Sequence, residues 1–186
     1  MSRETRSEKI LKDTLHRLKM QRRVLYWQKV TTPMYQPESI DFLVIDLHGR
    51  THLIEVKESG TGVISQGRFN EHQQTLLGQG RLNSEESGTR VWIVAMFYDG
   101  SRYRNSNAYY EQYFWLPGKL SRRKTISLGF CLTAPDVCLL AEYRGREWIT
   151  GIHKDGGLST RNNPTEGFIT LPFLEKTQKE NQNEPL

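Results

Sequence analysis

Asp41, Glu55 and Lys57 have the residue types and spacing for metal-assisted hydrolysis. They fall within residues 39–57, where two largely apolar runs, 42–47 and 52–56, flank His48-Gly49-Arg50. That pattern reads as a β-hairpin. With Leu47-His48-Gly49 as a three-residue loop and Gly49 in the left-handed position, pairing is centred on residue 48 and Asp41 lies across from Glu55. Opposed residues share a face of a sheet, and so do residues two apart on a strand, which brings Lys57 to the same place. Two carboxylates held this close raise each other's pKa unless a cation neutralises them. Mg²⁺ suits a site of one or two carboxylates completed by water and phosphate oxygens, and it acidifies a bound water. A neighbouring lysine can orient that water or offset developing negative charge, and the Val56 carbonyl is a further metal ligand in reach. The bland alternative is an edge hairpin whose polar residues face water. The apolar character of both strands favours a buried hairpin with its polar groups at one lip.

The elements that must position this lip can be read on either side of it. Residues 5–20 form an amphipathic helix: Thr5-Arg6-Ser7-Glu8 fits a capping box, and Ile10, Leu11, Leu15 and Leu18 make one stripe. Glu8 continues that stripe, so it is either a cap residue or a third carboxylate aimed at the hairpin. Residues 24–30 alternate as a strand, and 31–38, with Pro33 and Pro37, make an irregular connection. Glu58-Ser59-Gly60-Thr61-Gly62 reads as a flexible exit from the hairpin. A short helix is expected over 69–80, ending at Gly78 or Gly80. Residues 90–98 are the most apolar strand and belong in the middle of the sheet. Residues 109–116 are strand-like, and 126–130 and 137–142 are weaker strand candidates. Beyond 144 the pattern fades, 167–174 read as a last element packing back, and 175–186 read as a disordered tail. This order makes a single α/β domain over 1–143, with 144–174 as an extension packed on it.

Composition narrows the partners. The 186 residues carry a net charge of +5, and 36% are hydrophobic. The pI is about 9.2 and the mean hydropathy -0.65. No stretch approaches the length of a membrane span, and the charged start has no apolar signal core, so a cytoplasmic protein is expected. Cys131 and Cys138 form neither a metal-ligand pattern nor a disulfide framework and read as small buried hydrophobes. Residues 1–29 hold nine Lys/Arg against three Asp/Glu, a net +6 that leaves -1 for the other 157 residues. Residues 100–124 hold six basic residues against Glu111 alone. Two such segments, including Arg22 and Arg23 in the first and Arg122, Arg123 and Lys124 in the second, suggest a polyanion footprint, with solvated surfaces as the alternative. Trp27, Tyr103, Tyr109, Tyr110, Tyr113 and Trp115 would stack exposed bases beside it, although strand aromatics more often fill a core.

These residues resemble a known family. Asp41 followed by Glu55-x-Lys57 is similar to the core motif of PD-(D/E)xK nucleases, and the element order matches their restriction-endonuclease-like αβββαβ core, a mixed sheet flanked by helices. The closer resemblance is to RecU-type Holliday junction resolvases, also called penicillin-binding-protein-related factor A. Ser39-Ile40-Asp41-Phe42 resembles their Thr-Thr-Asp-Tyr segment, and Ile54-Glu55-Val56-Lys57-Glu58 their Phe-Glu-Ala-Lys-Glu. Asn70-Glu71-His72-Gln73 resembles their Asp-His-Gln helix, and Ile126-Ser127-Leu128-Gly129-Phe130 their Ile-Ser-Leu-Gly-Tyr. The resemblance spans roughly residues 5–140. In place of the family's long stalk insertion the chain has only residues 30–38, and the proline usual just before the motif aspartate sits four positions earlier, as Pro37.

The resemblance implies a Mg²⁺-dependent endonuclease, with Mn²⁺ as the substitute ion, that acts as a homodimer on branched DNA such as a four-way junction. It implies metal binding by Asp41 and Glu55, positioning or activation of water by Lys57, an outer carboxylate in Glu8, and a hold on phosphate or metal-bound water in Ser39. Gln73 would orient the water or Lys57, and His72 would contact phosphate unless it is an ordinary surface histidine. His48 and His52 are expected on the hairpin surface, and His16 and His153 carry no signal. A nucleoid-associated protein of a bacterium or phage is the implied setting. Another PD-(D/E)xK nuclease, of restriction or phage replication and repair type, and a non-catalytic DNA-binding module remain the alternatives.

Overall fold

The computed structural model describes residues 5–31, 40–78, 89–98, 110–118, 123–144, 147–153, 157–158 and 171. Helix α1 (Arg6–Met20) precedes strands β1 (Val24–Lys29), β2 (Phe42–Asp46) and β3 (Thr51–Ser59). A short β4 (Val63–Ser65), a 3-10 turn (Gln66–Arg68) and helix α2 (Glu71–Gly78) lead to β5 (Thr89–Tyr98) and β6 (Tyr110–Pro117). Then come β7 (Thr125–Ser127), helix α3 (Leu128–Thr133), β8 (Cys138–Arg144), β9 (Glu147–His153) and β10 (Gly157–Leu158). Eight strands form one mixed sheet in the order β1-β2-β3-β5-β6-β8-β9-β10. Only β3 and β5 run parallel; the other neighbours are antiparallel. β4 and β7 make a separate antiparallel pair. The chain is therefore α/β, with a mostly antiparallel mixed sheet flanked by helices.

The hairpin register follows the turn. Gly49 has φ +76, where only glycine avoids a steric cost, and the Gly49 N–H donates to Asp46 O at 3.1 Å. Phe42 therefore pairs with Ile54 and Ile45 with Thr51, the pairing centred on residue 48 that the sequence predicts. Alternation then sends Phe42, Val44, Ile54 and Val56 to one face, where they pack with Ile10, Leu11, Leu15 and Leu18 of α1. Leu53 and Ile93 go to the other face with Phe69, Leu77 of α2 and Cys131 of α3. Strand β5, buried on both faces from Ile93 to Phe97, lies between β3 and β6 in the middle of the sheet.

Helix α1 starts where its cap is. The Thr5 side chain accepts from the Glu8 N–H, and Glu8 reaches back to the Thr5 N–H. Leu11, Leu15 and Leu18 are fully buried, each contributing roughly 2 kcal/mol. Its other end is a Schellman closure: Arg23 N–H donates to Leu18 O at 2.8 Å and Arg22 N–H to Lys19 O at 3.0 Å. Arg22 occupies the left-handed position at φ 56, which favours glycine.

Three expectations need correction. Residues 126–130 are not one strand: β7 ends at Ser127, whose hydroxyl accepts from the Phe130 N–H and starts α3. Beyond 144 the sheet continues into β9 and β10, built from a glycine- and threonine-containing sequence without clean alternation. Glu58 is no flexible exit, because β3 runs to Ser59 and Glu58 Oε2 accepts from the Ser7 hydroxyl at 2.8 Å. Tyr113 and Trp115 take the core reading of strand aromatics: both are buried on the α1 face, and Trp27 packs against that core. Tyr103, Tyr109, the 167–174 segment apart from the buried Leu171, and the 175–186 tail lie outside the described residues, as does the side chain of Tyr110. Cys131 is buried, and burial pushes its thiol up to about 12, as befits a small core residue.

Candidate active site

Strand β3 is the spine of the site. Its odd positions face α2, so Glu55 and Lys57 emerge side by side toward that helix, and the register places Asp41 opposite Glu55. Asp41 and Glu55 are 6% and 1% exposed, a depth at which a carboxylate must be tied to donors. Asp41 is tied to the neighbouring strand: its Oδ2 accepts from the Val56 N–H at 2.6 Å, and its own N–H donates to Ile54 O at 3.0 Å. Val56 thus enters the site through its amide. Glu55 Oε1 forms an ion pair with Lys57 and accepts from Gln73 Nε2 at 2.7 Å. Lys57 Nζ also donates to Gln73 Oε1 at 3.3 Å and lies 5.1 Å from the centre of the Phe69 ring, a cation–π contact worth about 1 kcal/mol.

Gln73 reaches the site because α2 begins where it does. The Asn70 side chain accepts from the Gln73 N–H at 2.9 Å, and the Asn70 N–H donates to Gln73 Oε1 at 3.1 Å. This is a reciprocal capping box, and it aims the glutamine at β3. The Asn-x-x-Gln spacing was visible in the sequence; that Asn70 and Phe69 belong to the site was not.

Glu8 does not join these residues. It lies on the α1 side of the sheet, where Glu8 Oε2 receives Lys29 Nζ at 2.9 Å and the Thr5 N–H at 3.3 Å. The cap reading of Glu8 holds. Among the described residues no three His, Cys, Asp or Glu side chains converge as a metal-binding group. Asp41 and Glu55 are nonetheless the hard oxygen donors that Mg²⁺ or Mn²⁺ takes, and with water and phosphate they would complete its shell.

The other expected site residues are dispersed. His72 is exposed on α2 beside Gln73. Arg123 and Lys124 are exposed at the start of β7; the Lys124 carbonyl accepts from the Gln66 N–H at 2.8 Å, which ties that segment to the turn before α2. Arg123 stacks on the Phe130 ring at 3.8 Å. Arg22 and Arg23 lie at the opposite end of β1 from Asp41, since Val24 pairs with Asp46 and Lys29 with Phe42. Five residues of strand separate the two ends, on the order of 17 Å. Ser39 and Arg122 lie outside the described residues.

His52 is the main misreading. It is 1% exposed, not on the hairpin surface. The Trp92 indole N–H donates to His52 Nδ1 at 3.1 Å, so Nε2 carries the proton and donates to Asp46 Oδ2 at 3.1 Å. Burial pulls the imidazole below its usual pKa, against the raising influence of Asp46. Both ring nitrogens are used, which is why a histidine can be buried here.

No protein-family model matches the chain, and no curated protein matches it. No described helix is long and apolar enough to cross a membrane.

Proposed function

We propose that this chain is a Mg²⁺-dependent, structure-selective DNA endonuclease with a PD-(D/E)xK core, acting as a cytoplasmic, nucleoid-associated homodimer on branched DNA such as the Holliday junction. The observation that carries the reading is the convergence of Asp41, Glu55, Lys57 and Gln73 at one end of β3. The order α1-β1-β2-β3-α2-β5, with only the short β4 and a 3-10 turn between β3 and α2, and the basic segments support it. Mg²⁺, or Mn²⁺ in its place, supplies Lewis-acid stabilisation of charge on a phosphoryl oxygen and acidifies water. Asp41 and Glu55 would hold it, with the Val56 amide keeping Asp41 turned inward. Lys57 places a positive charge beside Glu55, where it offsets negative charge developing on the phosphate or orients the water. Gln73 keeps Lys57 and Glu55 in register with each other. His72 beside Gln73, Arg123 and Lys124 before β7, and Arg22 and Arg23 at the far end of β1 would meet the DNA backbone at separate points.

The test is a Mg²⁺-dependent cleavage panel of four-way junction, flap, duplex and single strand, run with the wild type and Asp41→Ala. The wild type should cut the junction best, and Asp41→Ala should lower the rate by roughly 10³-fold while still binding the DNA. Unimpaired cleavage by Asp41→Ala would remove the site from consideration. Preferential cutting of duplex or flap would point to a nuclease of restriction or replication and repair type, because the connection between β1 and β2 is short. Binding without any cleavage would leave a DNA-binding module.

A further inference from the structure

Building on Asp41, Glu55 and Lys57 as the reacting site, we infer that Asn70 and Phe69 are positioning residues: the lead-in to α2 sets the orientation of the Gln73 amide and the place of the Lys57 ammonium. The Gln73 carboxamide meets three polar groups. The Asn70 N–H, at 3.1 Å, and Lys57 Nζ, at 3.3 Å, are donors only, so they must face the amide oxygen. The Glu55 carboxylate is an acceptor, so the 2.7 Å contact must come from the NH₂ group. A flipped amide would set donor against donor and acceptor against acceptor. The orientation is therefore unique, and the capping box enforces it, because Asn70 Oδ1 accepts from the Gln73 N–H at 2.9 Å and holds the glutamine at the third helical position. Glutamate serves equally well in an ordinary capping box. Here it would oppose Glu55, so the site needs the amide.

Phe69 acts on the ammonium. The residue is 6% exposed, its ring centre lies 5.1 Å from Lys57 Nζ, and its backbone is clamped: the Phe69 N–H donates to Gln66 O at 3.0 Å and Gln74 Nε2 donates to Phe69 O at 2.7 Å. Glu55, Gln73 and the ring face thus surround Lys57. Residues 69–74 form one rigid template over the β3 carboxylate and ammonium.

The test uses the full chain with Asn70→Ala and Asn70→Ser, and with Phe69→Leu and Phe69→Tyr. Hydrogen exchange of the Gln73 side-chain amide by NMR should accelerate about fivefold in Asn70→Ala and return toward the wild-type rate in Asn70→Ser, which restores a cap. Acylation of Lys57, followed by mass spectrometry, should quicken roughly fivefold in Phe69→Leu but not in Phe69→Tyr, which keeps the π face. In cleavage assays kcat should fall about tenfold in Asn70→Ala and Phe69→Leu with KM unchanged. Exchange and labelling at wild-type rates in both variants would overturn the positioning role. Because neither readout depends on cleavage, an inactive wild type would sink the nuclease reading while these two measurements still decided the positioning role.

Discussion

The hairpin of β2 and β3 carries a buried carboxylate cluster at each end, on opposite faces of the sheet. At the closed end, Asp46 accepts from the His48 and Arg50 N–H groups at 2.9 Å each, from Arg50 Nε at 2.8 Å and from His52 Nε2 at 3.1 Å. Burial alone would raise its carboxyl, but the bonds from His52, Arg50 and His48 hold it below its usual range. Every donor lies within six residues, so the cluster is complete once the turn forms. At the open end, Glu55 pairs with Lys57 and accepts from a glutamine 18 residues away, while Asp41 accepts from an amide 15 residues away. The first arrangement satisfies a charge locally and stabilises the turn. The second collects two carboxylates at depth, an arrangement that costs stability and suits a ligand.

Substitution at each end can break this distinction. Asp46→Ala should destabilise the fold by about 3 kcal/mol, because it strands the buried His52 N–H and removes the turn's acceptor. Urea denaturation measures this, and cleavage per folded molecule should be unchanged. Asp41→Ala should show the opposite balance, a loss of cleavage of roughly 10³-fold with a smaller cost in stability of about 1 kcal/mol, from the single Val56 N–H left without its acceptor. Equal losses of stability in both variants would erase the contrast.

A third buried carboxylate sharpens it through pH. Glu111, fully buried on the α1 face, forms a 3.2 Å ion pair with Arg6. Burial nevertheless raises its carboxyl from 4.5 to about 7, with Glu58 adding to the rise and Arg6 opposing it. A raised carboxyl stabilises the fold fully below pH 4.5, and that contribution is lost as pH climbs through about 7. Glu111→Gln should therefore gain about 1–2 kcal/mol at pH 8 relative to the wild type, and less at pH 5. His52 has the opposite sign: its depressed imidazole contributes fully above pH 6.5 and loses that contribution as pH falls through its lower folded value. His52→Gln should flatten the acid side of the stability profile and leave the alkaline side as it is. The smallest effect belongs to Arg22. Arg22→Gly should stabilise the chain by about 1 kcal/mol by relieving the left-handed backbone. If Arg22 meets DNA as proposed, the same change should weaken binding for all sequences and reduce the salt slope by about 1.

How much of this was legible depended on how local the cause was. The hairpin register could be read because one glycine and two alternating runs determine it, and the Thr5–Glu8 cap because its pattern spans four residues. His52 was misread because alternation says which residues share a face but not that an indole 40 positions away will accept a buried imidazole as a partner. Residues 126–130 split into strand and helix because α3 is only six residues long, too short to show a period. Tyr113 and Trp115 belong to the core for a reason the sequence left open: β6 is covered by neighbours on both edges. Asn70 and Phe69 give no signal of their own in the sequence, because their importance lies in what they hold in place.

The tie between Glu58 and Ser7 bears on the length of β3. Glu55 and Lys57 serve one face of this strand while Glu58, at the next position, caps the first turn of α1 on the other. Deleting Val56 would turn every later side chain over, sending the Lys57 ammonium toward α1 and the Glu58 carboxylate toward Glu55. One lost residue would repel the helix, crowd the carboxylates and take the Lys57 ammonium away from Glu55. Single-residue insertions and deletions in this strand should accordingly be far more damaging than most substitutions, so the spacing from Glu55 to Glu58 acts as a ruler shared by both faces.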